Sequence, residues 1–221
     1  ALTRAAESPA AQAATLQAAA DRLGLRRPVV LGHSYGGAVA LAWGLARPDD
    51  TGALVLLSAV TNPWPGGLGA YYALTGSALG SALVVPLLSA LVPARQVEAS
   101  IAEIFAPQAP PPGYAARVGA PLTLRPGAMR ANARQVAGLR PHVVRMARAY
   151  GRLPMPVEAV HGDADTIVPF DIHAAPLEGQ ISGARVTPLP GIGHMPHHVA
   201  LDAVVAAIDR ATARAGLNRR P

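Results

Sequence analysis

The chain has 221 residues, 51% of them hydrophobic and 14% charged, so it can form a buried core and does not have the composition of a disordered protein. It contains no cysteine, which excludes disulfides, thiolate nucleophiles and zinc–thiolate sites. The net charge of +6 is concentrated in residues 61–152, which hold nine arginines and two acids, whereas the remainder holds ten arginines and eleven acids. Aromatic residues are not interleaved with these arginines, so the segment predicts a solvated helical face and not a nucleic-acid surface. Contact with an anionic membrane is the alternative.

The chain opens on Ala1 without an initiator methionine, and no signal peptide is visible. We therefore expect the original N-terminus to be missing, together with any targeting signal that it carried. The cytoplasm is the default location on this basis, and the residues do not indicate an oligomeric state.

The first sixty residues alternate between helical and strand patterns. Ser8 is placed to cap a helix that begins at Pro9 and continues through alanine-rich sequence to Leu23. Short apolar runs at 28–31 and 53–58 predict buried parallel strands, and the alanine-rich stretch 35–46 between them predicts a helix. This alternation is typical of an α/β fold with a doubly wound, mostly parallel sheet.

A glycine-flanked serine lies between the first predicted strand and the helix that follows it. Residues 32–36 read Gly-His-Ser-Tyr-Gly, which fits the G-x-S-x-G pattern of a tight strand-to-helix turn. We expect a Cβ at Gly32 or Gly36 to collide with neighbouring backbone, because the turn must be tight. Such a turn raises the Ser34 hydroxyl above the sheet and directs the first amides of the helix to the same point.

The alternation stops in residues 61–153, which contain helical patterns but no clear strand. Residues 51–94 include no charged side chain, and 71–92 is long enough to raise the question of a membrane span. Pro86 and several hydroxyl side chains interrupt that run, so we expect an apolar helix above a lipophilic pocket instead. Farther along, arginines alternate with apolar residues over 129–148 at a spacing that predicts an amphipathic helix.

The alternation resumes in the last third of the chain. The predicted elements are a strand at 156–160, a short helix at 171–177, a strand at 184–189 and a closing helix at 199–213. Asp165 and His194 each lie in the loop that follows one of these strands, as Ser34 does in the first part of the chain. Loops after parallel strands emerge at the same edge of a sheet, so we expect Ser34, Asp165 and His194 to converge there.

Three motifs together identify a family resemblance. Residues 32–37, 161–169 (His-Gly-Asp-Ala-Asp-Thr-Ile-Val-Pro) and 191–196 (Gly-Ile-Gly-His-Met-Pro) resemble α/β-hydrolase fold proteins of the capped, lipase- or esterase-like type. The resemblance covers essentially the whole chain. It implies a core domain in two parts, 1–60 and 154–221, that are separated by a helical cap insertion at 61–153.

The resemblance also implies a role for each site residue. Ser34 would be the nucleophile, His194 the general base and acid, and Asp165 the carboxylate that orients the imidazole. The backbone N–H of Tyr35 would contribute to the oxyanion hole. The sequence shows no metal-binding cluster and no phosphate-binding loop, so we expect neither a metal nor a cofactor.

Two of these roles have competitors in the sequence. Asp163 lies two residues before Asp165, but the H-G-x-x-D pattern of the family places the acid at the second position. His197 and His198 lie close to His194, but they follow Pro196 and are expected to be exposed at the start of a helix.

Other polar residues are assigned to the surroundings of the site. His33, Asn62 and Trp64 are candidates for substrate binding, with ordinary packing near the site as the alternative. His161 is expected to brace the acid loop by hydrogen bonding, whereas His142 and His173 are expected on the surface.

A serine nucleophile implies an acyl-enzyme and therefore a small-molecule ester or other acyl substrate, and the apolar cap favours lipophilic acyl groups. The same three residues would serve an acyltransferase, a perhydrolase or a C–C hydrolase, and a non-catalytic binding protein with this fold is a further alternative. Members of the family carry several strands before the serine turn, and a loop there supplies a second oxyanion donor. The resemblance thus implies an N-terminally truncated chain of weak activity, in which the strand at 28–31 is unpaired on one side.

Overall fold

A computed structural model describes residues 7–66 and 93–217. Four parallel strands form one sheet in the order β1-β2-β3-β4, so the predicted α/β class is confirmed. The strands are β1 (Val29–His33), β2 (Ala53–Leu57), β3 (Val157–Gly162) and β4 (Ala184–Leu189). Among these strands, β1 lies at one edge of the sheet.

The described helices precede, connect and follow these strands. They are α1 (Pro9–Arg22), α2 (Tyr35–Ala46), α3 (Ala94–Phe105), α4 (Tyr114–Arg117), α5 (Pro126–Ala137), α6 (Leu139–Ala147), α7 (Phe170–His173), α8 (Leu177–Gln180), α9 (Pro196–Val199) and α10 (Leu201–Arg214). Two 3-10 turns, Ala120–Leu124 and Tyr150–Arg152, complete the set.

Strand β2 is covered on both faces, which explains why its five residues are all apolar. Leu54 and Leu56 belong to a core cluster with Leu41 of α2, whereas Val55 belongs to a second cluster with Ala207 of α10. All five residues of β2 are buried. Each fully buried Leu or Val side chain contributes about 1.5–3 kcal/mol to stability, so helices on both faces hold this strand in place.

The first helix begins as the sequence predicts. The Ser8 hydroxyl accepts the backbone N–H of Ala11 at 3.2 Å, and Pro9 occupies the first helical position. Small residues of α1 pack on α2, where Ala13 and Ala20 share a cluster with Trp43. The serine turn between β1 and α2 is therefore backed by a helix pair.

Several element boundaries differ from those predicted. Strand β1 continues two residues beyond 28–31, because Gly32 and His33 remain in parallel register with β2. The helix predicted at 171–177 is divided into α7 and α8, with Pro176 immediately before α8. The closing helix predicted at 199–213 corresponds to α10 and begins two residues later, because Ala200 leaves helical geometry with a φ of −139° and a ψ of 48° and separates it from α9.

The described part of the predicted insertion, residues 61–66 and 93–153, contains helices and turns but no strand. Gly138 separates α5 from α6, and each helix buries a few apolar residues, among them Met129 and Val143. The apolar run at 71–92 lies outside the described residues. Within the part of the chain that is described, no helix has the length and apolar character needed to cross a membrane.

Candidate active site

Ser34 occupies a strained turn between β1 and α2. Its φ of 53° lies in the left-handed region that residues with a side chain rarely adopt. Two backbone bonds of 3.0 Å hold it, since its N–H donates to the carbonyl of Leu57 and its carbonyl accepts the N–H of Val60. The end of β2 therefore fixes the conformation of the serine.

The glycines around Ser34 differ in how much space a side chain at their position would have. A Cβ at Gly32 would lie 2.2 Å from the carbonyl oxygen of Gly36, so the predicted clash at this position is confirmed. The same prediction for Gly36 is wrong, because no atom of the described neighbouring elements lies within 4 Å of a Cβ built there. The second tight position is Gly37, where a Cβ would lie 2.2 Å from that of Ala59.

The structure brings Ser34, His194 and Asp165 together at the carboxyl edge of the sheet. His194 Nε2 lies 3.0 Å from Ser34 Oγ, and His194 Nδ1 lies 2.7 Å from Asp165 Oδ2. His194 is 5% exposed and Asp165 is 4% exposed, so the bond between them is shielded from water, whereas the contact of His194 with Ser34 is partly buried. With Nδ1–H donated to the carboxylate, Nε2 is free to accept the proton of the Ser34 hydroxyl.

Asp165 is held as a carboxylate by several donors. Its Oδ1 accepts the backbone N–H groups of Ile167 and Val168, each at 2.9 Å. Burial acts to raise the pKa of Asp165, but hydrogen bonds from His161 and His194 and the N–H of Val168 outweigh it and keep the pKa well below its usual range. The group opposite His194 is therefore a permanent negative charge.

The acid loop is arranged as the sequence predicts. His161 Nε2 donates to the carbonyl of Val168 at 2.7 Å and lies 3.4 Å from Asp165 Oδ2, so this histidine braces the loop. Asp163 is exposed, and its carboxylate accepts the N–H of Gly191 at 2.7 Å. The competing carboxylate therefore shapes the loop before His194 and does not contact the imidazole.

His33 supports His194 from the side. Its Nε2 donates to the backbone carbonyl of His194 at 2.8 Å, and the two rings lie 4.8 Å apart. The ring of His197 lies 4.5 Å from His33 and is half-buried, so the expected exposure of His197 is wrong, whereas His198 is exposed as expected. Burial lowers the pKa of His33 and that of His197 to about 4, and both rings are neutral at physiological pH.

A cavity of about 420 Å³ opens beside the Ser34 hydroxyl. The lining residues are Ser34, Tyr35, Val60, Trp64, Pro65, Val136, Leu139, Thr166, Ile167, Val168, Pro169, Ile172 and His173. Of the three side chains that we expected near a substrate, Trp64 is in this lining, but His33 and Asn62 are not. The amide of Asn62 exchanges two hydrogen bonds with Gln180, at 3.1 and 2.8 Å.

His173 is buried, which contradicts its predicted surface position. It is 3% exposed, and its Nδ1 accepts the backbone N–H groups of Thr61 and Asn62 at 3.3 and 3.2 Å. Burial lowers the pKa of His173 to about 4. A polar residue in a four-residue helix gives no local sign of such packing, because its partners lie more than a hundred positions earlier in the chain.

Gln108 is a further residue that sequence reasoning missed. Its side chain donates to the carbonyl of Gly191 at 2.7 Å and accepts the N–H of Gly193 at 2.9 Å. Both bonds act on the loop directly before His194. The one sequence signal was a lone amide side chain within the proline-rich stretch 107–112.

Within residues 7–66 and 93–217, no group of three or more histidine, aspartate or glutamate side chains is arranged to hold a metal ion.

The first turn of α2 places a backbone N–H group directly after Ser34. The N–H of Tyr35 is at the first helical position, where it has no intrahelical acceptor.

Comparison with known proteins gives one family match and many structural matches. A family model described as the alpha/beta hydrolase family matches residues 3–207. Comparison with curated proteins gave no significant match. An alpha/beta hydrolase fold protein from Nakamurella multipartita is 28% identical with a TM-score of 0.55, over 95% of this chain and 77% of the other.

Two enzymes of known structure share the fold at lower identity. The 2-hydroxy-6-oxo-6-phenylhexa-2,4-dienoate hydrolase from Rhodococcus sp. strain RHA1 is 19% identical with a TM-score of 0.73, over 93% of this chain and 70% of the enzyme. A thermophilic esterase from Thermogutta terrifontis is also 19% identical, with a TM-score of 0.63 over 94% of this chain and 73% of the esterase. At this identity the likeness concerns the fold alone.

Proposed function

The chain belongs to the alpha/beta hydrolase family, and we propose that within this family it is a serine hydrolase that cleaves carboxylic esters through an acyl-enzyme on Ser34. One observation supports this proposal above others. An unbroken chain of short contacts runs from Ser34 Oγ through His194 to Asp165, and Ser34 at its outer end lines an apolar cavity.

In the first half of the reaction, Ser34 Oγ forms a bond to the ester carbonyl carbon while its proton passes to His194 Nε2. The carbonyl electron pair moves to oxygen and gives a tetrahedral intermediate. When the intermediate collapses, the bond to the alkoxy oxygen breaks and His194 returns the proton to the departing alcohol. Asp165 stabilises the imidazolium that exists between these two transfers.

In the second half, water takes the place of the alcohol. His194 removes a proton from the water as its oxygen attacks the acyl carbon, and a second tetrahedral intermediate forms. The bond to Ser34 Oγ then breaks, the proton returns to this oxygen, and the carboxylic acid leaves. No cofactor or metal takes part in this scheme.

The negative oxygen of each intermediate requires hydrogen-bond donors. We assign the N–H of Tyr35 to this role, because it lies directly after Ser34 at the start of α2 and has no intrahelical acceptor. The loss of one such donor costs about 3–4 kcal/mol of transition-state stabilisation in enzymes where it has been measured.

The lining of the cavity favours a lipophilic acyl or alcohol group. Val60 and Val168 come from the loops that follow β2 and β3, whereas Val136 and Leu139 come from α5 and α6. We therefore propose that residues 61–153 act as a cap above the site and that Trp64 contacts the substrate. His33 and Asn62 would act indirectly, through the backbone and side chains that they bind.

The proposal is tested by fluorophosphonate labelling with peptide mapping, and by turnover of nitrophenyl esters. We expect the label on Ser34, and we expect Ser34→Ala to lower kcat/KM by at least about 10⁴-fold. Ser182→Ala, in an exposed turn, is the matched control and should retain both activities. Labelling at another residue, or unchanged turnover in S34A, would reject the assignment, and the absence of labelling and turnover would favour a binding protein.

A further inference from the structure

The cavity beside Ser34 has few polar groups, and they differ in their access to water. Thr166 is exposed and Trp64 is half-exposed, so both can bind solvent. The hydroxyl of Tyr35 is already occupied, since it donates to the carbonyl of Glu7 at 2.8 Å and accepts a bond from Gln12. His173 is the buried exception, with 3% of its surface exposed.

The contacts of His173 fix its protonation state. Its Nδ1 faces two backbone N–H donors, those of Thr61 and Asn62, so this nitrogen acts as an acceptor and carries no proton. The proton of the neutral ring is therefore on Nε2. A second ring proton would have to bind Nδ1, where its N–H would point at these two N–H donors. Burial also lowers the pKa of His173 to about 4.

The ring is also fixed in position. The hydroxyl of Thr61 donates to the backbone carbonyl of His173, and the N–H of His173 donates to the carbonyl of Pro169 at 3.0 Å. His173 lines the cavity, and because its Nδ1 is held by the N–H groups of Thr61 and Asn62, Nε2 is the ring nitrogen left for a ligand in the cavity. A preorganised donor binds a ligand acceptor without the entropic cost of first ordering the side chain.

Within residues 7–66 and 93–217, no hydrogen bond has His173 Nε2 as its donor, and this nitrogen is not among the fully buried side-chain atoms that lack a partner, so it stays accessible from the cavity. A donor in an apolar wall favours a ligand oxygen that satisfies it and disfavours a ligand that covers it with methylene groups. We propose that His173 is a specificity-determining residue, and that the preferred substrates are esters whose otherwise apolar acyl or alcohol part carries a ketone or ether oxygen. The inference rests on the proposed function, because it places such an ester beside Ser34.

The test measures binding to the Ser34→Ala protein, which holds esters without cleaving them. The ligands are ethyl hexanoate and the four ethyl oxohexanoates with a ketone, in which the ketone lies progressively farther from the ester. We expect at least one oxohexanoate to bind about five-fold more tightly than hexanoate, as one neutral hydrogen bond would allow. A cavity without a donor would show the opposite order, because the ketone reduces the apolar surface that is buried.

Variants at His173 separate binding of the ketone by Nε2 from binding of the backbone of Thr61 and Asn62 by Nδ1. In His173→Asn, the side-chain oxygen can replace Nδ1 as the acceptor for Thr61 and Asn62, but the donor at Nε2 is lost. In His173→Gln, the amide nitrogen can replace Nε2 as the donor. We expect S34A/H173N to lose the preference for the oxohexanoate and S34A/H173Q to retain part of it, whereas S34A/H142N, outside the cavity, retains all of it.

The outcomes distinguish the inference from the proposed function. Hydrolysis by the parent protein together with equal or reversed affinities for the two ester types would overturn the role of His173 alone. A preference for the oxohexanoate that is lost in S34A/H173N, in a protein without hydrolytic activity, would overturn the proposed function alone. A preference that survives in S34A/H173N would also reject the role of His173.

Discussion

Gln108 accepts the backbone N–H of Gly193 at 2.9 Å, one residue before His194. The same side chain donates to the carbonyl of Gly191, so it holds the loop of His194 at two points. The backbones of the two loops also approach closely, since a Cβ at Gly193 would lie 2.0 Å from the carbonyl oxygen of Ala106. The position of the imidazole thus depends on a loop that belongs to the predicted insertion and not to the sheet.

We expect Gln108→Ala to lower kcat on nitrophenyl esters by about five-fold per lost hydrogen bond, with a smaller change in KM. The loss of both bonds frees the loop and misplaces His194 relative to Ser34, whereas the cavity is unchanged. Gln96→Ala, on the exposed surface of α3, is the control and should behave like the parent protein. A change confined to KM would show that Gln108 acts on the cavity instead.

We expect Asp165→Asn to lower kcat by about 10³- to 10⁴-fold, because the amide cannot stabilise the imidazolium of His194. The positions of the site residues should change little, since the amide has nearly the same size as the carboxylate. Asp163→Asn removes a carboxylate two positions away that accepts the N–H of Gly191. Its effect on kcat should be less than about ten-fold, since the change touches one hydrogen bond. Equal losses in D165N and D163N, measured by steady-state kinetics, would contradict the assignment of the acid.

The two outer glycines of the serine turn should respond differently to alanine. Gly32→Ala places a methyl group 2.2 Å from a backbone oxygen, and we expect a loss of about 3 kcal/mol or more in the free energy of unfolding. Gly36→Ala meets no atom of the described neighbouring elements within 4 Å. Because residue 36 is the second position of α2, where alanine favours the helix more than glycine does, we expect this substitution to be neutral or to stabilise the fold by up to about 1 kcal/mol. Urea denaturation measures the free energy of unfolding of both variants. Similar losses in the two would contradict the difference in space at Gly32 and Gly36.

We expect acid to destabilise the fold between about pH 6.5 and pH 4. His33, His173 and His197 have a pKa of about 4 in the folded chain, whereas 6.5 is the ordinary value. In this window the unfolded chain binds protons that the folded chain does not, so the free energy of unfolding falls as the pH falls. Below about pH 4 these groups cause no further loss, because both states are then protonated.

The contribution of buried His173 to this loss is about 3 kcal/mol, while half-buried His33 and His197 contribute less because solvent screens them. Asp165 adds its own loss mainly below about pH 4, because its pKa is lowered in the folded chain, so the unfolded carboxyl, with an ordinary pKa of 3.8, binds a proton there that the folded one does not. Urea denaturation at several pH values should show a shallower dependence for His173→Asn than for the parent protein. An unchanged slope would contradict the neutral, buried state of His173.

The α/β class, the strand-to-helix turn at Ser34 and the convergence of Ser34, Asp165 and His194 at one edge of the sheet could all be predicted from the residues alone. These features follow from short patterns and from one rule of topology. Apolar runs of strand length predict buried parallel strands, and parallel strands end at the same edge. The preference for Asp165 over Asp163 came from the family pattern, and the 2.7 Å contact with His194 agrees with it.

Which side chains surround the three residues could not be predicted in this way, because it depends on how distant segments pack together. The bonds of His173 to Thr61 and of Gln108 to Gly193 join positions 112 and 85 residues apart, so no local pattern contains them. The role of Gly36 was misjudged for the same reason, because a steric clash depends on which element packs against the turn. A local pattern fixes the conformation of a segment, whereas burial and hydrogen-bond partners depend on the segments that fold against it.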